Sequence, residues 1–261
     1  MRARPGRSYG EGMRANGAFI DLGDVHTYYE TSGTGDPVVL LHGGMCTAET
    51  FDAQTAALSD HYRVYLPERR GHGRTPDVPG PLDYDIMAAD TIHFLDALQL
   101  GPANLVGWSD GAAIGLLVAW RRPDLVRKLV YIGQNLTTDG LRPAFRAMLG
   151  SLSVDHLPPM LAEMYAAVSP DGPAHFVEVF ERLRPSWTAD SPLPLSHLGE
   201  VMVPTLVMAG DDDILTLAHL GELQDALPNV QIAVLPGASH AAPMEQPDLV
   251  NRLILAFLAP A

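Results

Sequence analysis

Ala103-Asn104-Leu105-Val106-Gly107-Trp108-Ser109-Asp110-Gly111-Ala112-Ala113-Ile114-Gly115-Leu116 decides how this chain folds. The stretch opens with a short apolar run that suits a buried strand, and apolar helix formers continue through Trp120. Pro123 closes that helix, because proline disfavours α conformation in the residue before it. Between strand and helix stands Gly107-Trp108-Ser109-Asp110-Gly111, the spelling of a nucleophile elbow. A serine on so sharp a turn has its hydroxyl lifted clear of the backbone and within reach of a substrate carbonyl. With 11 serines and 24 glycines in 261 residues, chance supplies the spelling about one time in ten, so its weight comes from the strand and helix around it.

Working outward, Val38-Val39-Leu40-Leu41 is wholly apolar, as expected of a strand covered on both faces, and it runs into His42-Gly43-Gly44. Residues 19–22 and 25–30 form a hairpin pattern turning at Gly23-Asp24. Further strands are expected at 63–67, 128–132, 205–208 and 230–235, with helices at 49–58, 84–98, 112–121, 216–226 and 247–258. Such alternation predicts an α/β fold: a mostly parallel twisted sheet with helices on both faces. It breaks between 134 and 200, where helical stretches near 141–150, 157–168 and 173–183 are separated by Pro158-Pro159, Pro170 and Pro185. The expected organisation is a flexible arm over 1–17, a core over 18–133 and 201–261, and an inserted helical cap over 134–200.

Composition narrows the function. Net charge is −14, from 17 basic and 31 acidic residues, which argues against nucleic acid and against an anionic membrane surface. The longest apolar run, near 112–120, falls well short of a membrane span, and no apolar segment follows the N-terminal arginines as a secretory signal requires. Cys46 is the single cysteine, so no intrachain disulfide forms, and a reducing cytoplasm is the expected setting. No His-Glu-x-x-His or paired-cysteine spacing marks a metal site, and no Gly-x-Gly-x-x-Gly or P-loop marks a nucleotide cofactor. The expected partner is a small-molecule substrate, with no cofactor, and the chain a monomer or homodimer.

A serine hydroxyl is a poor nucleophile until a base takes its proton, and the base needs a third group to hold its tautomer. Two strand ends offer these groups: Gly210-Asp211-Asp212-Asp213 after strand 205–208, and Pro236-Gly237-Ala238-Ser239-His240 after strand 230–235. Functional groups of parallel sheets gather at the carboxyl ends of strands, which puts both loops on the edge that carries Ser109. Spacing alone leaves the three aspartates open.

The combination of His42-Gly43, Arg70-Gly71-His72-Gly73, the elbow, the Gly210 loop and His240 resembles the α/β-hydrolase superfamily over about residues 18–258. The resemblance implies the α/β-hydrolase fold with a cap, and a serine hydrolase acting on an ester, lactone or activated amide through an acyl-enzyme. It implies Ser109 as nucleophile, His240 as base and Asp213 as the acid. It also implies an oxyanion hole made by the backbone N–H groups of Gly44 and Asp110. Met45, Trp108 and Asp110 are the expected substrate contacts. Asp110 has two readings. Its carboxylate is either a favourable charge at a helix N-terminus, worth about 0.3–1 kcal/mol, or an anchor for a cationic substrate group. The second is implied by an elbow similar to that of valacyclovir-hydrolase-like enzymes. Carbon–carbon hydrolases, cyclases, lyases and ligand receptors share this framework, since fold and triad together do not fix a reaction.

Overall fold

The computed structural model describes residues 16–260. The arm expected over 1–17 lies outside the described residues up to position 15, and its last two positions begin the first strand. Eight strands form one sheet: β1 (Asn16–Asp21), β2 (His26–Ser32), β3 (Pro37–Leu41), β4 (Arg63–Pro67), β5 (Ala103–Trp108), β6 (Val126–Ile132), β7 (Thr205–Asp212) and β8 (Val230–Ser239). Their order is β1-β2-β4-β3-β5-β6-β7-β8. The β1–β2 and β2–β4 pairs are antiparallel, and every pair from β4 to β8 is parallel.

Sequence hydrophobicity explains which strands take the middle. All six residues of β5 are buried, as are Val38–Leu41 of β3, whereas edge strand β8 alternates with several exposed positions. Helices α2 (Tyr84–Ala97) and α3 (Asp110–Arg121) cover one face, joined by α7 (Leu217–Ala226). Helices α1 (Asp52–Leu58), α8 (Ala242–Glu245) and α9 (Pro247–Leu258) cover the other. α3 is buried from Asp110 to Ala119, because it crosses the centre of the sheet against β3, β5 and β6.

Between β6 and β7 the described chain holds helices α4 (Pro143–Met148), α5 (Pro159–Val168) and α6 (Phe176–Trp187), with no strand. Pro143 and Pro159 each open a helix, where a missing N–H costs nothing. α6 packs through Phe176, Val179, Phe180 and Leu183, a helical stripe on one face. Its polar side is held to the 71–80 loop by Asp77, which accepts from His175 Nε2 at 2.8 Å and from Arg182. The Asp77 side chain is only 8% exposed, so removing it takes a buried acceptor from two partly exposed donors. Asp77→Ala is expected to lower stability by about 2 kcal/mol. The check is thermal unfolding with hydrogen exchange, where the lost protection should concentrate in α6.

Among the described residues no helix is long and apolar enough to cross a membrane.

Candidate active site

The elbow is built as its glycines require. Ser109 has φ 54° and ψ −126°, a left-handed φ that L residues rarely adopt, between the end of β5 and the start of α3. Its N–H donates to the Ile132 carbonyl at 2.8 Å, and its own carbonyl accepts the Ala112 N–H at 2.8 Å. The turn closes because nothing projects from its two glycines. A Cβ on Gly107 would lie 2.2 Å from the Gly111 carbonyl oxygen, and one on Gly111 would lie 1.9 Å from the Leu41 carbonyl oxygen.

The sheet register assembles the rest. β7 and β8 pair through to Asp212 opposite Ser239, so the next residue of each strand, Asp213 and His240, emerge side by side. His240 Nδ1 lies 2.8 Å from Asp213 Oδ1, and His240 Nε2 lies 3.1 Å from Ser109 Oγ. Asp213 is 2% exposed, and its Oδ1 also accepts the Ile214 N–H at 2.7 Å, which fixes the carboxylate. A carboxylate facing Nδ1 favours the tautomer with its proton there, leaving Nε2 free to accept from Ser109. The neighbouring aspartates do other work. Asp211 accepts the Gly237 N–H at 2.7 Å, and Asp212 pairs with Arg142 at 2.8 Å, so both brace loops.

Gly44, on the loop after β3, and Asp110, at the start of α3, both line the cavity in front of Ser109. Asp110 is the first residue of α3, so its N–H has no carbonyl partner within the helix. Gly44 is confined by its surroundings: a Cβ there would lie 2.4 Å from Asp110 Oδ2 and 2.7 Å from the Trp187 ring. Beneath this loop Arg69, buried, donates to the carbonyls of His42 and Gly43, the latter at 2.8 Å. Nε2 of His42 accepts the Arg69 N–H at 3.3 Å, leaving Nδ1 to donate to the Gly43 carbonyl at 2.8 Å. Burial, reinforced by Arg69, holds the His42 imidazole well below its ordinary pKa and pushes His72 down to about 3. Both are neutral supports of turns.

The Asp110 carboxylate is enclosed. It accepts from Tyr84 Oη at 2.8 Å and from Trp187 Nε1 at 2.9 and 3.0 Å, one distance to each oxygen. Burial raises its pKa, against the opposing pull of Arg69, Trp187 and Tyr84.

A cavity of about 640 Å³ opens on Ser109. Leu141, Phe145, Met148, Leu161, Met164 and Met244 make much of its wall apolar. Trp108 lines it and donates its indole N–H to the His240 carbonyl at 2.7 Å, bracing the histidine loop. Met45, expected to touch substrate, does not line the cavity. Its φ of 60° turns the side chain into the core, where it is 1% exposed, and the neighbouring Cys46 faces the cavity instead. Burial pushes the Cys46 thiol up to about 12, which keeps it protonated and inert. Arg69 and Tyr84 escaped the sequence reading. Arg69 directly precedes the recognisable Arg70-Gly71-His72-Gly73 turn, yet only its burial shows its task.

A family model described as "Alpha/beta hydrolase family" matches residues 38–253. A protein named as a carbamate hydrolase, RutD, from Azorhizobium caulinodans is 30% identical over 253 residues, covering 90% of this chain and 96% of its own. The 2-hydroxy-6-oxo-2,4-heptadienoate hydrolase of Pseudomonas putida is 29% identical over 266 residues, covering 93% and 96%. Among solved structures, the meta-cleavage product hydrolase CumD of Pseudomonas fluorescens superposes with a TM-score of 0.79 at 23% identity, over 93% of this chain and 97% of that one, a likeness of fold.

Proposed function

Because the chain belongs to the alpha/beta hydrolase family, we propose that it is a serine hydrolase cleaving a carboxylic ester, lactone or activated amide of a small, partly apolar substrate. The hydrogen-bonded series Ser109–His240–Asp213, with Ser109 opening on an apolar cavity, carries this reading. In it, His240 takes the Ser109 proton as the hydroxyl oxygen attacks the carbonyl carbon. The N–H groups of Gly44 and Asp110 hold the resulting oxyanion, a contribution of about 3 kcal/mol per donor in such sites. His240 then protonates the leaving group, and water attacks the acyl-enzyme by the same route in reverse. Asp213 keeps the imidazole oriented and stabilises its charged form.

The carbon–carbon hydrolase reading, favoured by the name of the Pseudomonas putida relative, fits less well. A substrate of that name carries a carboxylate, whereas among the described residues Glu49 and Asp110 line the cavity and no Lys or Arg does. The test is a panel of nitrophenyl esters, lactones and a meta-cleavage dienoate, with fluorophosphonate labelling, on wild type and Ser109→Ala. Ester or lactone turnover with labelling of Ser109 supports the proposal; an unlabelled Ser109 sinks it.

The same site makes Asp213 separable from its neighbours. Asp213→Asn is expected to lower kcat about 10⁴-fold, because the amide presents an N–H to the imidazole and favours the wrong tautomer. Asp212→Asn, which loses only an exposed pairing with Arg142, should change kcat less than about threefold. Equal losses in both would refute the assignment.

A further inference from the structure

A carboxylate buried in the wall of a substrate cavity invites a cationic ligand, yet both carboxylates that line this cavity already have partners inside the protein. Glu49 is paired with Arg74 and accepts from Thr47. Asp110 has Tyr84 on one oxygen, the Trp187 indole N–H shared across both, and the buried guanidinium of Arg69 in its field. Two donors make three contacts within 3.0 Å, and on Oδ2 the shared indole N–H is the bond a further donor must compete with. Arg69 supplies the countercharge that a buried anion needs. An ammonium group reaching this carboxylate would have to compete with the indole N–H for Oδ2.

Trp187 can hold this position because of how α6 ends. The helix runs past Pro185 to Trp187, its ring packs edge-on to Phe180 at 5.7 Å, and its six-membered ring abuts the only space a side chain at position 44 would need. The indole therefore spans the helical insertion, the oxyanion loop and the elbow.

Resting on the serine-hydrolase reading, we infer that Trp187 is a specificity-determining residue: its N–H occupies the Asp110 carboxylate, so the site selects neutral substrates over their amino-substituted counterparts. Removing that N–H while keeping an aromatic ring uncovers the carboxylate and turns the same wall into an ammonium subsite.

Binding, rather than turnover, tests this independently of the reaction. In the Ser109→Ala background, calorimetry compares methyl 3-phenylpropanoate with phenylalanine methyl ester at about pH 6, where the α-amino group is charged. The neutral ester is expected to bind at least tenfold more tightly. Adding Trp187→Phe should shift the ratio of the two affinities by tenfold or more toward the amino ester, and adding Asp110→Asn to that protein should cancel the shift. Trp187→Leu, which also lacks the donor, should move the ratio in the same direction if the aromatic variant is poorly made. The inference is overturned if the amino ester binds as well as the neutral one before Trp187 is changed, if the ratio stays put after it, or if neither ester binds. Failure of the hydrolase reading would appear separately, as absent labelling of Ser109 in the unmodified enzyme.

Discussion

Ser109→Ala will lower ester turnover by about 10⁵–10⁶-fold while leaving the fold intact. The magnitude reflects the groups left in place. On the proposed mechanism, removing the nucleophile leaves the oxyanion donors and the cavity, which in comparable sites retain a residual 10³–10⁴-fold advantage over water. The loss corresponds to about 7–8 kcal/mol of barrier. Stability should change little, because alanine at position 109 must still adopt the φ of 54° that serine adopts. Ser109→Gly separates the two effects. It removes the same hydroxyl but tolerates a positive φ, so it should melt higher than Ser109→Ala by the equivalent of about 1 kcal/mol, with activity equally absent. Retained turnover in either variant would mean that another group attacks the substrate. Equal melting temperatures would mean that the elbow stores no strain in its nucleophile.

The sheet was legible because its central strands are apolar on both faces. Val38–Leu41 and residues 103–106 read as strands without help from neighbours, and they became β3 and β5. Boundaries at the sheet edge were less visible. β8 was expected to stop at 235 but continues through Pro236 and Gly237 to Ser239, since pairing with β7 continues past a register shift between Gly210 and Asp212. That extension brings His240 level with Asp213, and no local pattern announces it. In the insertion, Pro143 and Pro159 opened helices where proline is tolerated. Pro185, expected to mark the end of α6, lies inside its last turn instead. A proline there removes one N–H bond near a frayed end, a smaller loss than in mid-helix. The error matters because Trp187, carried by that extra turn, reaches Asp110.

The same distinction applies to site residues. The meeting of Ser109, His240 and the aspartate loop was legible because each closes a strand, and each has a side chain suited to one step of the proposed acyl transfer. Asp110 kept two readings because a carboxylate at a helix start looks the same from sequence whether it faces solvent, substrate or protein. The partners that decide among these, Tyr84 and Trp187, lie 26 and 77 residues away in the chain. Met45 was misplaced for a related reason: a left-handed φ at a residue that is not glycine leaves no trace in composition.

Gly111→Ala will remove most of the soluble, active protein. Its Cβ would sit 1.9 Å from the Leu41 carbonyl oxygen, 2.4 Å from the Leu41 carbonyl carbon and 2.7 Å from the His42 oxygen. These are backbone atoms at the end of β3, so no rotamer change relieves the overlap. Either α3 lifts away from the sheet or the end of β3 moves, and both break a region in which α3 is buried from Asp110 to Ala119. A loss above about 4 kcal/mol is expected, which in a domain of this size lowers the melting temperature by roughly 10 °C or more. Because the displaced strand end leads directly into His42-Gly43-Gly44, any folded fraction should also lose turnover through misplacement of the proposed oxyanion donor. Gly115→Ala in the same helix is the matched comparison. Its Cβ would meet only side-chain atoms, Leu129 Cδ1 at 3.0 Å and Leu41 Cδ1 at 3.6 Å, which can shift by a few tenths of an ångström. There the helix preference of alanine, about 1 kcal/mol over glycine, offsets the crowding, and stability should stay within about 1 kcal/mol of wild type. If Gly111→Ala melts together with Gly115→Ala, the crossing of elbow and strand is looser than these distances describe. The glycines of the motif would then serve flexibility rather than close approach.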